Sequence, residues 1–179
     1  AVNHHRFILH GVGYSVRYQG GRSRTEHGIN SDDYISAEIL EGHALMVDSG
    51  SWGRAAVRKY WLAQDIAHNL ALKKITDVQM FDNNIHRLIV TWDNGTKVYV
   101  NRGKRDWLIE AKILPQYGYL VKGKELISTI EKIDNVFCES TIGPGGWYCN
   151  TRTFDFEDSL SIEPQVENFE YLGNRKFRW

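Results

Sequence analysis

Apolar and polar positions follow one pattern before about residue 75 and another after it. Residues 6–18 form an apolar and aromatic run with two glycines, which predicts one long bent strand or two short ones. Two stretches follow in which apolar residues recur at helical spacing. From Ile75 onward, apolar and polar residues alternate with a period of two, as in β-strands. The pattern therefore predicts a strand and two helices, followed by a long β-region.

The two predicted helices have recognisable ends. The first runs from about residue 34 to 47 and follows Ser31, Asp32 and Asp33, whose oxygens can accept bonds from the unpaired N–H groups of the first turn. The second runs from residue 53 or 54 to about residue 74. Its apolar residues cover a wide face, so we expect it to pack against a sheet or another helix. These residues are Val57, Tyr60, Trp61, Leu62, Ala63, Ile66, Ala67 and Leu70.

Turn signals separate the predicted strands at short, regular intervals. The strands are 75–81, 87–93, 96–101, 107–114, 118–121, 126–133, 136–141 and 146–154, with one more around 168–172. This spacing is typical of an antiparallel β-sandwich or barrel. The predicted fold is therefore mostly β (α+β), an antiparallel β-sandwich-like domain with an N-terminal strand and two helices packed on it. Residues 1–74 hold the strand and helix pair and residues 75–179 the β-domain, together forming one compact unit.

The strongest local signal is the Asn94-Gly95 pair between two β-branched runs. It predicts a two-residue type I′ turn, which needs positive φ at both central residues. That turn pairs Val90 with Tyr99 and Ile89 with Val100. Both faces of the hairpin then carry apolar side chains, so we expect it to be covered on both sides.

Composition excludes some classes of function. Lys+Arg and Asp+Glu are both 22, so the net charge is zero, which argues against a dedicated binder of nucleic acid or anionic membranes. No apolar run approaches the roughly 18 residues that read as a membrane span, and no signal peptide is recognisable. The chain begins at Ala1 rather than Met, as a processed product or an excised piece would. The compartment stays undetermined.

Two cysteines, Cys138 and Cys149, fall in neighbouring predicted strands. If Thr141 and Gly146 close the hairpin between these strands, the two thiols face each other and a disulfide is geometrically allowed. Free cysteines that pack in the core are the alternative.

The search for catalytic chemistry gives weak candidates. Seven histidines show no spacing that places two metal ligands on one face, so neither a metal nor another cofactor is predicted. Carboxylates surround the first helix, and of these Glu26 and Asp32 are the candidates for acid/base work. Helix capping already explains Asp32. The glycine-rich stretch 143–146 lies between strands, with no helix to complete a phosphate site.

Aromatic residues offer a second kind of candidate. The chain has six Trp and nine Tyr, whose flat rings with polar tips suit sugars as well as protein cores. Trp107 and Tyr117 lie at strand edges beside polar turns, where a sugar platform would be accessible. Trp61, Trp92 and Tyr99 have the positions of core residues. The predicted carbohydrate contacts are therefore Trp107 and Tyr117.

Two segments resemble parts of a known family. Residues 33–43 (DYISAEILEGH) and 56–61 (AVRKYW) resemble the last helices of (β/α)-barrel glycoside hydrolases. The hairpin NGTKVYVN at 94–101, with Trp107 and LPQYGY at 114–119, resembles the β-domain that follows such barrels, where "DG-T-VYVN" precedes a tryptophan and "LP-x-x-G-(F/Y)". The likeness covers about residues 30–150.

The resemblance implies a structural role. In these enzymes the catalytic carboxylates lie at the C-terminal ends of barrel strands, which this chain mostly lacks. A full barrel needs about 200 residues, whereas fewer than 80 precede the β-region. We therefore expect the C-terminal portion of such a protein, or a relative that keeps only that portion. No catalytic residue of the family carries over.

The expected function is a non-catalytic accessory region that braces a barrel or lines the rim of its sugar site. Its expected partners are a carbohydrate, a missing barrel domain, or a second copy bound through exposed helix faces. One alternative is a stand-alone carbohydrate- or protein-binding module that uses Trp107 and Tyr117. A second is a small glycosidase that uses Glu26 or Asp32 with a histidine.

Overall fold

A computed structural model of the chain describes residues 5–6, 31–44, 54–152, 170–173 and 176–178. The first elements among the described residues are two helices, α1 (Ser31–Glu41) and α2 (Arg54–Leu70). Both expected helices are confirmed, although α1 begins three residues before residue 34 and α2 ends four residues before residue 74. Helix α1 also ends six residues before its expected end at about residue 47, since residues 42–44 are described and are not helical. The expected strand at 6–18, apart from residue 6, and Glu26 lie outside the described residues.

Nine strands form one open antiparallel sheet. They are β1 (Ile75–Met80), β2 (Arg87–Trp92), β3 (Lys97–Asn101), β4 (Trp107–Ile109), β5 (Lys112–Leu114), β6 (Tyr119–Lys122), β7 (Ile127–Ile133), β8 (Val136–Gly143) and β9 (Gly146–Arg152). A 3-10 turn at Phe81–Asn83 follows β1, and a separate pair contains β10 (Glu170–Gly173) and β11 (Lys176–Arg178). The mostly-β, α+β class expected from the sequence is confirmed.

The sheet is a meander with one inserted hairpin. Strands β1, β2, β3, β6, β7, β8 and β9 pair in that order, each antiparallel to the next. The β4–β5 hairpin joins through β5, where Ile113 pairs with Lys132 of β7. Strand β7 is long enough to pair with three strands, since β6 and β5 share one of its edges and β8 occupies the other.

The helix pair covers one face of the sheet. Leu62 and Ile66 of α2, like Ile35 and Ile39 of α1, are at most 2% exposed. They belong to one apolar cluster with buried residues of the sheet, namely Val90, Trp92, Val98, Val100, Tyr119, Val121 and Ile130. Each Å² of apolar surface removed from water contributes about 25 cal/mol, so this layer stabilises the packing of the helices on the sheet.

The β4–β5 hairpin covers part of the other face. Tyr99 and Leu120 point away from the helices and pack with Trp107 and Leu114 of the inserted hairpin. Strand β3 is therefore apolar on both sides, as the sequence predicts: Val98 and Val100 face the helices, whereas Tyr99 faces the hairpin.

The expected register of the β2–β3 hairpin is wrong by one residue. Ile89 pairs with Tyr99, and Val90 pairs with Val98. The loop has three residues, because the Gly95 amide donates to the Trp92 carbonyl and the Trp92 amide donates to the Thr96 carbonyl, both at 2.9 Å. Of the expected turn pair, Gly95 alone has positive φ, at 80°. This geometry is a type I turn followed by a left-handed residue.

The expected single strand at 107–114 is also wrong. Glu110 and Ala111 have φ of 51° and 59° and form a two-residue turn that splits the segment into β4 and β5. Glu110 is held in place from outside the turn, since its carboxylate accepts from Lys122 Nζ at 2.7 Å and from the Tyr99 hydroxyl at 3.2 Å. Tertiary contacts therefore stabilise a turn that Glu and Ala do not favour locally.

The β8–β9 hairpin closes differently from the sequence expectation. Gly143 pairs with Gly146, so the loop contains only Pro144 and Gly145. Cys138 then lies opposite Thr151, and Cys149 lies opposite Ser140. The two cysteines are diagonal neighbours rather than a facing pair, and both are free thiols.

Candidate functional site

A buried ion cluster joins the two helices to the sheet. Arg58 of α2 is 3% exposed, and its Nε donates to both carboxylate oxygens of Glu139 on β8, at 2.9 and 2.8 Å. Its Nη2 donates to Asp32 Oδ1 on α1 at 2.6 Å. Burial opposes the charge on the guanidinium, but the carboxylates of Glu139 and Asp32 outweigh it and hold the pKa of Arg58 well above its usual value.

Other polar side chains complete the surroundings of Glu139. Asn150 Nδ2 donates to Glu139 Oε2 at 3.1 Å, and the Tyr148 hydroxyl lies 3.5 Å from the same oxygen. Because Glu139 is fully buried, these bonds offset part of the cost of removing its charge from water. The cluster therefore holds α1, α2 and β8 in position, and its buried groups are not accessible to a substrate.

The acidic candidate Asp32 belongs to this cluster. It is 4% exposed, and its carboxylate accepts from Arg58 Nη2. Two other carboxylates contact a histidine: Glu38 Oε2 lies 2.9 Å and Glu41 Oε2 lies 3.3 Å from His43 Nδ1. Partial burial raises the pKa of Glu38, although His43 opposes this effect. Glu38, Glu41 and His43 do not line the cleft beside α2 that is described below.

The carbohydrate candidate Trp107 is buried. It is 2% exposed, and its ring packs on Phe81 at 5.2 Å and on Tyr99 at 6.5 Å between ring centroids. The Arg87 guanidinium lies 6.0 Å from the ring centroid. Within the described part of the chain, Trp107 Nε1 makes no hydrogen bond. The ring presents no open face to a sugar, and Trp107 packs as a core residue.

Tyr117, the second candidate, lies half-buried in the loop before β6 with φ of 63°. Its amide donates to the Asn101 carbonyl at 2.6 Å. The Asn101 side chain is fully buried and donates to the carbonyls of Leu114 and Pro115 at 2.9 and 3.1 Å. Asn101 thus fixes the corner on which Tyr117 lies. A sugar contact at Tyr117 stays a prediction. Trp107 offers no second stacking surface beside it, because its ring is buried.

An open cleft lies at one end of the sheet, beside the C-terminal half of α2. Its volume is about 720 Å³, within the range of small-molecule sites. Three sheet turns form its outer wall, those after β2, β6 and β8. The lining residues are Gln64, Asp65, His68, Asn69, Lys73, Asn94, Lys124, Glu125, Leu126, Pro144 and Gly145. No spacing in the sequence predicts this cleft, because its residues come from α2, from the segment after α2 and from three sheet turns.

Two further classes of site find no support in the described residues. None of the side chains described there forms a group of three His, Cys, Asp or Glu able to hold a metal ion. Of the helices described, α1 and α2 included, none has the length and apolar character to cross a bilayer.

Comparisons with known proteins identify no relative from which the role of the site could be inferred. No protein-family model, no curated protein and no solved structure matches the chain.

Proposed function

We propose that this chain is a non-catalytic accessory region of a carbohydrate-active protein, in which a helix pair is braced against an open β-sheet. The observation that carries the proposal is the Arg58 cluster, which joins α1, α2 and β8 through buried ion pairs. Such a cluster fixes the relative positions of three elements and presents no reactive group to solvent. The sequence resemblance to post-barrel β-domains supplies the carbohydrate context.

The described carboxylates support a non-catalytic role. Asp32 and Glu139 are buried and bound to Arg58, and Asp65 is 5% exposed and bound to the Gly145 amide. A glycosidase needs two carboxylates that flank a substrate, with separations of about 5 Å or 6.5–9.5 Å. These acidic side chains instead stabilise contacts between elements of the fold.

The test is hydrolysis of a panel of aryl glycosides by the purified chain, with Asp32→Asn and Glu26→Gln as comparators. We expect no turnover above background for any of the three proteins. Turnover that disappears in Glu26→Gln or Asp32→Asn would make the chain a small glycosidase and overturn the proposal.

A second measurement addresses the accessory role itself. The coding sequence upstream of Ala1 should continue with several hundred residues of alternating strands and helices, as a barrel requires. An open reading frame that starts at or near Ala1 would contradict the accessory role. Binding of oligosaccharides by the isolated chain, lost in Tyr117→Ala, would favour the stand-alone binding module instead.

A further inference from the structure

The cleft beside α2 has walls that are held in place before any ligand arrives. Both carboxylate oxygens of Asp65 accept from the Gly145 amide, at 3.1 and 3.2 Å, which ties the β8–β9 turn to the helix. Asn69 Nδ2 donates to Thr96 Oγ1 at 2.7 Å, and Asn94 Nδ2 donates to the Asn69 carbonyl at 2.8 Å. A preformed wall reduces the ordering cost of binding.

Four other polar side chains of the cleft are available to a ligand. Within the part of the chain that the structure describes, the side chains of Gln64, His68, Lys124 and Glu125 make no hydrogen bond or ion pair. Together they supply donors and acceptors: an amide with both, an imidazole with both, an ammonium and a carboxylate. Vicinal hydroxyl groups, which donate and accept at the same atom, match such a mixed set.

The charges in the cleft indicate a neutral ligand. Lys73 and Lys124 are balanced by Asp65 and Glu125, so the lining has no excess of either sign. A polyanion would gain little from such a surface, since its affinity depends on uncompensated cations. The exposed ring of Pro144 adds an apolar surface against which the C–H face of a sugar ring can pack.

We propose that the cleft between the C-terminal half of α2 and the three sheet turns binds a short neutral oligosaccharide. The choice of a sugar rests on the proposed carbohydrate-active context, whereas the position and neutrality of the site rest on the geometry. The ligand contacts Gln64 and His68 from the helix and Lys124 and Glu125 from the β6–β7 turn. This site is separate from Trp107 and Tyr117, which do not line the cleft.

The test is a titration of the full chain with neutral trisaccharides, followed by calorimetry and by the backbone amide signals of Gly123 and Gly145. The probes are β-1,4-linked glucose, xylose, mannose and N-acetylglucosamine, and α-1,4-linked glucose, with a sulfated disaccharide as the anionic comparator. We expect at least one neutral probe to bind with Kd below about 10 mM.

The decisive variant is the pair Gln64→Ala and His68→Ala, with Gln79→Ala and His86→Ala as the matched control. Gln79 and His86 are exposed residues of the same types that do not line the cleft. Loss of two ligand hydrogen bonds should weaken binding about tenfold or more, while the control leaves Kd unchanged. If the helix variant has a lowered Tm, Lys124→Ala with Glu125→Ala on the exposed turn gives the same comparison.

Three results would overturn the proposal. They are no binding of any neutral probe, tighter binding of the sulfated probe than of every neutral one, and equal loss of affinity in the cleft and control variants. None of these results affects the proposed accessory role, because that role is measured by hydrolysis and by the upstream coding sequence. Conversely, turnover of aryl glycosides would overturn the accessory role and leave the cleft measurement unchanged.

Discussion

Arg58 Nε donates to both carboxylate oxygens of Glu139, at 2.9 and 2.8 Å, across 81 residues of sequence. The same guanidinium also reaches Asp32 on α1, so one cation holds two buried carboxylates from different elements. The attraction between these charges offsets the cost of burying them only while all partners are present. Removing the cation takes the Arg58 ion pair away from two buried carboxylates inside the fold.

Arg58→Ala should therefore lower the free energy of unfolding by about 3–5 kcal/mol, the cost typical of breaking a buried ion pair. The matched control is Arg102→Ala, because Arg102 pairs with Asp33 at 2.7 Å but is 42% exposed. An exposed pair contributes about 0–1 kcal/mol. Urea unfolding followed by circular dichroism measures both values. Similar losses in the two variants would show that the Arg58 cluster does not brace the helices.

The sequence predicts the existence and type of the elements well, because periodicity reports which face of an element is buried. It predicts the β2–β3 hairpin but not its register, since that depends on one residue of loop length. The deciding contact is tertiary: Asn94 Nδ2 donates to the Asn69 carbonyl of α2, while Asn94 Oδ1 accepts from the Thr96 amide at 3.1 Å. The residues around Asn94 in the sequence do not indicate where α2 lies in the fold.

The burial of Trp107 escapes prediction from sequence for a similar reason. Trp107 has polar neighbours in sequence, which suggests an accessible strand edge. Its burial comes from the turn at Glu110 and Ala111, which folds β4 and β5 over Tyr99. The Arg58–Glu139 pair was also missed, because it joins residues 81 apart with no spacing rule between them. Contacts between residues far apart in sequence therefore determine both the burial of Trp107 and the formation of the cleft beside α2.

Gly95→Ala tests the observed turn. Gly95 has φ of 80°, and an added Cβ would meet no atom within 4 Å, so the cost comes from the backbone alone. A left-handed conformation costs a residue with a Cβ about 1–2 kcal/mol. Gly95→Asn is the control, since Asn tolerates this conformation better. We expect Gly95→Ala to be the less stable variant in urea unfolding. Equal stability of the two variants would contradict the left-handed turn at Gly95.

The free thiols should react slowly. Burial raises the pKa of Cys138 to about 11 and that of Cys149 to about 12. The thiolate is the reactive form, so at pH 8 we expect modification by a thiol reagent to be roughly a hundredfold or more slower than for an exposed cysteine. In denaturant both thiols should react rapidly, at the rate of an exposed cysteine. Fewer than two reactive thiols after unfolding without reductant would indicate a disulfide, against the observed register.

The Tyr99 hydroxyl donates to Glu110 Oε1 at 3.2 Å, beneath the turn between β4 and β5. Burial, followed by the negative charge of Glu110, raises the pKa of Tyr99 to about 12 from an ordinary value of 10. The folded state therefore holds this proton more tightly than the unfolded chain does. The resulting stability is fully present below pH 10 and is lost as the pH rises through 12.

Tyr99→Phe should consequently reduce the loss of stability between pH 10 and pH 12, because the variant has no proton to release at this site. Other groups with raised pKa values, Tyr119 and the two cysteines, titrate in both proteins and cancel in the difference. Tyr60→Phe, at a tyrosine that is 50% exposed, is the control. The measurement is urea unfolding at a series of alkaline pH values, with phenolate formation followed by ultraviolet absorbance. Parallel stability curves for the wild type and Tyr99→Phe over this range would refute a raised pKa at Tyr99.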